Sequence, residues 1–193
     1  MTTFENYFQF KEHKTSALIL TALGIGIIFT TQHALSNPPV NKETLHKQLS
    51  SHSPYSEQGE LIYKNLIQSD DYSAILSDLQ LAANSPQATP LMHTHLGSLL
   101  SLLAWDEKDT VKQINMATQA DAAFDKALQK SPYYWDAWMG KAEIYAYSED
   151  TELKKHAITI LTYLSSNSPT NPAPPLKKQK SAALLNKLNT NTL

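Results

Sequence analysis

Cysteine and arginine are both absent from the 193 residues. Without cysteine there is no disulfide, no thiol nucleophile and no Cys-ligated metal. Without arginine, duplex-DNA reading and bidentate phosphate recognition lose the side chain they lean on, so no nucleic-acid partner is expected. Glycine is scarce, at five residues, and two of these, Gly24 and Gly26, lie inside an apolar run. A P-loop, a G-x-S-x-G elbow and a G-x-G-x-x-G turn opening a helix after a strand are all missing, as is H-E-x-x-H. The chain therefore reads as a non-enzyme, with no cofactor and no small-molecule substrate. Seven histidines are present, among them His93 and His95, which sit two apart on a predicted helix. At ~100° per residue they point roughly 200° apart and do not converge on one metal, so they read as polar surface or packing residues. The acidic groups Asp70-Asp71, Asp106-Glu107-Asp109 and Glu149-Asp150-Glu152 fall at predicted turns, where they serve as helix N-caps or solvated tips.

What is present is first an apolar segment. TSALILTALGIGIIFTT runs from Thr15 to Thr31, with no charged residue between Lys14 and Lys42. As a helix it spans about 25 Å, or about 31 Å if continued to Leu35, enough to cross a hydrocarbon core. Its Ser and Thr hydroxyls can bond back to the helix backbone. Residues 15–35 are thus expected to be a transmembrane helix or uncleaved signal anchor. The competing reading is a signal peptide cleaved after Ser36, which releases a soluble periplasmic adaptor. Lys11 and Lys14 precede the segment more closely than Lys42 and Lys47 follow it. This bias favours a cytoplasmic N-terminal stub, 1–14, and a body on the periplasmic face of the inner membrane.

Beyond Asn37-Pro38-Pro39 the pattern is helical. Residues 36–53 read as a linker with a possible short helix carrying Leu45 and Leu49. From Pro54 to Pro169 apolar residues recur at helical spacing, as in Leu96-Leu99-Leu100-Leu103, and no alternating strand pattern occurs. Proline punctuates this region at Pro54, Pro86, Pro132 and Pro169. The chain is therefore all-α, with a helical domain over 54–169.

One stretch inside that domain has a recognisable spacing. Ala120, Phe124, Ala127 and Pro132 follow A-x3-F-x2-A-x4-P, and Trp138, Ala142 and Tyr145 follow on the next helix. The spacing recurs at Ala157, Leu161, Leu164 and Pro169, and in weaker form at Ala74, Leu81 and Pro86, with Asp78 in the aromatic position. His93, Leu96, Gly97 and Leu100 fit the first-helix pattern, and Tyr55, Gly59 and Ile62 fit it loosely. These motifs resemble the tetratricopeptide (TPR) repeat family, in three units whose key alanines are spaced more widely than its usual ~34 residues. The extra length of the middle unit points to longer helices or a loop at Asp106–Thr110. The resemblance implies an α-solenoid of antiparallel helix pairs. Ala120, Phe124, Ala127, Pro132, Trp138, Ala142, Tyr145 and Ala157 would be its packing positions, and its partners would be proteins or peptides.

Tyr134 and Trp135 precede the Trp138 helix and have no packing role in that pattern, so they are the candidate partner contacts. After Pro169 comes a proline-rich linker and a basic tail, 170–193, with Lys177, Lys178, Lys180 and Lys187 and no acid. Leu184, Leu185 and Leu188 allow a short helix there, which either caps the body, docks on a partner or stays disordered. Taken together, the expectation is a membrane-anchored interaction module, an accessory, assembly or scaffold subunit of an envelope membrane complex. A small structural subunit of a larger membrane complex is the alternative.

Overall fold

The computed structural model describes residues 42–69, 72–167, 171 and 173–191. Within them α-helices joined by turns are the regular structure, with no strand. The helices are α1 (Lys42–Ser51), α2 (Glu57–Ser69), α3 (Tyr72–Ala83), α4 (Pro90–Asp106), α5 (Thr110–Lys130), α6 (Trp135–Ala146), α7 (Thr151–Ser165) and α8 (Pro175–Asn191). None of them is long and apolar enough to cross a membrane. The expected span, 15–35, lies outside the described residues, as does the stub before it.

The helix starts follow from side chains that accept orphan backbone N–H groups. Thr89 caps α4 by accepting from Met92 N, with Pro90 in the first turn. Asp109 caps α5 by accepting from Val111 N and Lys112 N, and Asp150 caps α7 in the same way. Two of the acidic turn clusters thus supply N-caps.

Successive helices pack on one another, most extensively α4 on α5, and α4 also touches α6. Near the α4–α5 turn, Gln113 Nε2 donates to the Ala104 carbonyl at 3.0 Å. Further from that turn, Phe124 meets Gly97. Both contacts centre at or within two residues of the 107–109 turn, so α4 and α5 run antiparallel. Contacts of Asp121, Phe124 and Asp125 with Gly140 and Lys141 centre on the next turn in the same way, which makes α5 and α6 antiparallel too.

Two hydrophobic cores flank α4. One gathers Leu45, Leu49, Ile62, Leu66, Ile75 and Leu79 from α1 to α3 around Leu99. The other joins Leu100 and Ala104 to α5, α6, α7 and Leu184 of α8. Consecutive residues Leu99 and Leu100 serve different cores because each turn of α4 is covered on several sides. A turn at 107–109 joins the 17-residue α4 to the 21-residue α5.

Two open alternatives are decided and one expectation changes. Between the short helix and the linker expected before Pro54, residues 42–51 form the helix, α1, and Leu45 and Leu49 bury its inner face against α2 and α4. Leu81, offered as a packing position of the first unit, is 76% exposed. The buried face of α3 is set by Ile75, Leu79 and Ala83 instead, at the i, i+4, i+8 spacing of one helix side. Of the alternatives left open for the tail, the structure shows a helix packed on the body. Its last proline, Pro175, opens a 17-residue helix, since a fixed φ near −65° suits the first turn. That helix, α8, packs on α7. Buried Asn171 secures the connector by donating from Nδ2 to the carbonyls of Tyr163, Leu164 and Ser166 at the end of α7.

Candidate functional site

Of the eight positions expected to pack, six are buried, Ala120, Phe124, Ala127, Ala142, Tyr145 and Ala157, whereas Trp138 is half-buried and Pro132 exposed. Ala120, Ala127, Ala142 and Ala157 are fully buried, and the Phe124 ring fills the space between α4 and α6. A Cβ placed on Gly97 would come within 2.7 Å of that ring, and one on Gly140 within 2.2 Å. Tyr145 is buried as well. Pro132 is exposed at the turn that ends α5.

The two candidate contact residues part company. Tyr134 is half-buried, and burial followed by neighbouring Asp136 pushes its phenol up. Trp135 is only 7% exposed and is therefore a core residue, not a rim anchor. Its ring meets Tyr55 edge-on at 5.7 Å between centroids, while Lys177 of α8 lies over it at 5.2 Å. Trp138 takes the more exposed place, half-buried, with Nε1 donating to the Pro132 carbonyl at 2.8 Å. The neighbouring residue Tyr133 is 74% exposed and forms the open aromatic corner.

Trp135 is covered because α8 crosses it. Three lysines of α8 reach three pairs of groups on the body. Lys177 bonds Asp136, itself 2% exposed. Lys180 bonds Glu60 of α2 and donates to the Tyr55 carbonyl at 2.9 Å. Lys187 lies over the Tyr147 ring at 5.3 Å, with Nζ 3.4 Å from its hydroxyl. The acceptors thus come from the start of α2 and from both ends of α6, segments that only the fold brings together. Charge in a partly buried seat of this kind is worth more than on an open surface.

Beneath the seat lies Glu143. Tyr55 Oη donates to its Oε2 at 2.8 Å. Burial raises the carboxyl to about 8, although the Tyr55 hydrogen bond and the Lys180 charge pull the other way. On the far side of α6, Lys141 Nζ bonds Asp121 at 2.6 Å and Asp125 at 2.8 Å, and Tyr145 Oη donates to Asp121 at 3.0 Å. Burial alone lowers the Lys141 ammonium, and the Asp121 carboxylate more than reverses it.

His95 is buried against Tyr63 and the His52 carbonyl. Its Nε2 donates to that carbonyl at 2.8 Å, and the Tyr63 hydroxyl, 3.0 Å from both, shares its one proton between Nδ1 and the His95 carbonyl. Burial lowers this imidazole to about 4. His93 is lowered too, by burial and then by Lys130 and Lys126. Both histidines are packing residues. Among the described residues no three His, Asp or Glu side chains gather as a metal site.

These groups predict how stability depends on pH. Glu143 has an ordinary value of 4.5 and a folded value of about 8. Between them the folded chain binds more protons than the unfolded one, so this group's contribution falls as pH rises through that window. His95, lowered from 6.5 to about 4, works in the opposite sense, and its contribution rises with pH across that window. The two cancel where the windows overlap, and above pH ~6.5 only the decline remains. The melting midpoint should therefore fall between pH 6.5 and 8, and Glu143→Gln should remove most of that decline. A decline that persists in the variant locates its source elsewhere.

Sequence reading missed the seat and both buried charge clusters. Its one signal was the run of lysines without acid in the tail, which asks for acidic neighbours. Set against known proteins, the chain matches no family model, no curated protein and no solved structure.

Proposed function

We propose that this chain is a membrane-anchored, TPR-like protein-interaction module that serves an envelope membrane complex as an accessory, assembly or scaffold subunit. The lipid contact is residues 15–35, and the helical body stands on the periplasmic face of the inner membrane. The observation that carries the reading is the wedge of Phe124 between Gly97 and Gly140, flanked by fully buried Ala120, Ala127 and Ala142. Small residues that let helices approach, with one large ring filling the space between them, are the packing device of helical-repeat scaffolds. Such scaffolds act by presenting surface to other proteins, and the exposed Tyr133 corner offers aromatic surface of the kind partners anchor on. The solenoid arrangement belongs to this proposal as well.

Affinity purification of the full chain from detergent-solubilised membranes tests it. The expected result is retention in the membrane through alkaline extraction, with one or more proteins recovered in fixed ratio. A chain released by alkali, or one that runs alone in mild detergent, counts against the anchor or the scaffold respectively.

A further inference from the structure

We propose that the acidic and aromatic seat beneath α8 is a docking surface for a lysine-bearing helix of a partner protein, with α8 as its resident competitor in cis. This rests on the reading of the chain as an interaction module, and it specifies the partner's chemistry.

Lys177, Lys180, Leu184 and Lys187 fall within an arc of roughly 80° on α8, at ~100° per residue. All three lysines meet a carboxylate, a carbonyl or an aromatic face of the body, and Leu184 is buried among them. The seat thus reads the pattern K-x2-K-x3-L-x2-K on one side of a helix. Its own groups are Tyr55, Glu60, Trp135, Asp136 and Tyr147. A partner helix with that stripe satisfies the same charges, which would otherwise lie partly buried and unmet.

The hold of α8 on the seat is incomplete. Leu176, in its first turn, is 48% exposed. The Lys187–Tyr147 bond is long, at 3.4 Å. Trp135 Nε1 is buried, and α8 supplies it no acceptor. The connector is rich in proline, so releasing α8 breaks no continuing helix. The tether gives α8 a high effective concentration, and a partner must exceed it by contacts that α8 lacks, such as an acceptor for Trp135 Nε1.

The test uses a labelled synthetic peptide of residues 173–193, titrated onto the full chain in detergent. Wild type is compared with K177A/K180A/K187A, whose α8 has lost its lysine contacts. The triple variant should bind the peptide at least tenfold more tightly than wild type. Changing the same three lysines of the peptide to glutamine should weaken that binding at least tenfold. Equal binding by the two chains, or no binding by a variant that keeps its helicity, overturns the proposal. If the variant fails to fold, hydrogen exchange of the wild-type chain decides. Amides of α8 exchanging at least tenfold faster than those of α5 and α6, and faster still in high salt, support a displaceable helix; exchange in step with α5 and α6 overturns it. A wild-type dimer that forms by exchange of α8 also overturns it, since a second copy is then the occupant. A co-purified partner that excess peptide does not release overturns this proposal and spares the broader reading. Peptide binding with the predicted lysine dependence, but no partner recovered, supports the seat while the broader reading fails.

Discussion

Phe124→Ala is expected to lower stability by roughly 3–5 kcal/mol, a drop in melting midpoint of about 10 °C or more. The ring is 1% exposed and fills the space between α4 and α6. A cavity costs most where its walls cannot collapse, and here two of the walls are Gly97 and Gly140, which have no side chain to move inward. The converse change overfills the same place. Gly140→Ala puts a methyl within 2.2 Å of Phe124 Cζ and should cost roughly 1–3 kcal/mol. Because the two residues share one volume, F124L/G140A should be more stable than the sum of its single changes implies. An unchanged midpoint for Phe124→Ala, or strict additivity in the pair, would remove the wedge from this account.

Asp121→Ala is the second large effect, expected at roughly 3 kcal/mol or more in urea unfolding. Lys141 is buried and is held chiefly by Asp121, with Asp125 the more exposed second partner. Removing Asp121 leaves the buried ammonium only the half-exposed Asp125 carboxylate and leaves the Tyr145 hydroxyl without its acceptor. The cost is mainly that of a poorly compensated buried charge, not the worth of the pair. Asp121→Ala/Lys141→Met should therefore recover much of the loss by replacing the pair with apolar contact. A double variant no more stable than Asp121→Ala alone would show that the damage lies in packing around α5.

Part of the candidate site was legible and part was not, and Trp135 and Trp138 mark the division. Both lie at the start of α6, three residues apart. Repeat spacing assigned Trp138 to the interior and left Trp135 free, whereas Trp135 is the more deeply buried. A spacing argument sees only the neighbours one helix turn away. Trp135 is covered by Tyr55 and Lys177, each more than forty residues distant in sequence. Glu143 escaped notice for a like reason, since a glutamate on a helix normally faces water. What buries it is Tyr55 and the seat above.

Helical class, the positions of the main turns and the small residues along α5 and α6 were already determined by the sequence. They depend on local rules: the 3.6-residue period of apolar side chains, proline's missing N–H, and acids that cap helix starts. The inward face of α3, the burial of Trp135, the pairing of Lys141 with Asp121 and the docking of α8 were decided by tertiary structure alone. Each depends on which distant segment arrives to exclude water, and desolvation, unlike periodicity, is set by the assembled surroundings of a side chain.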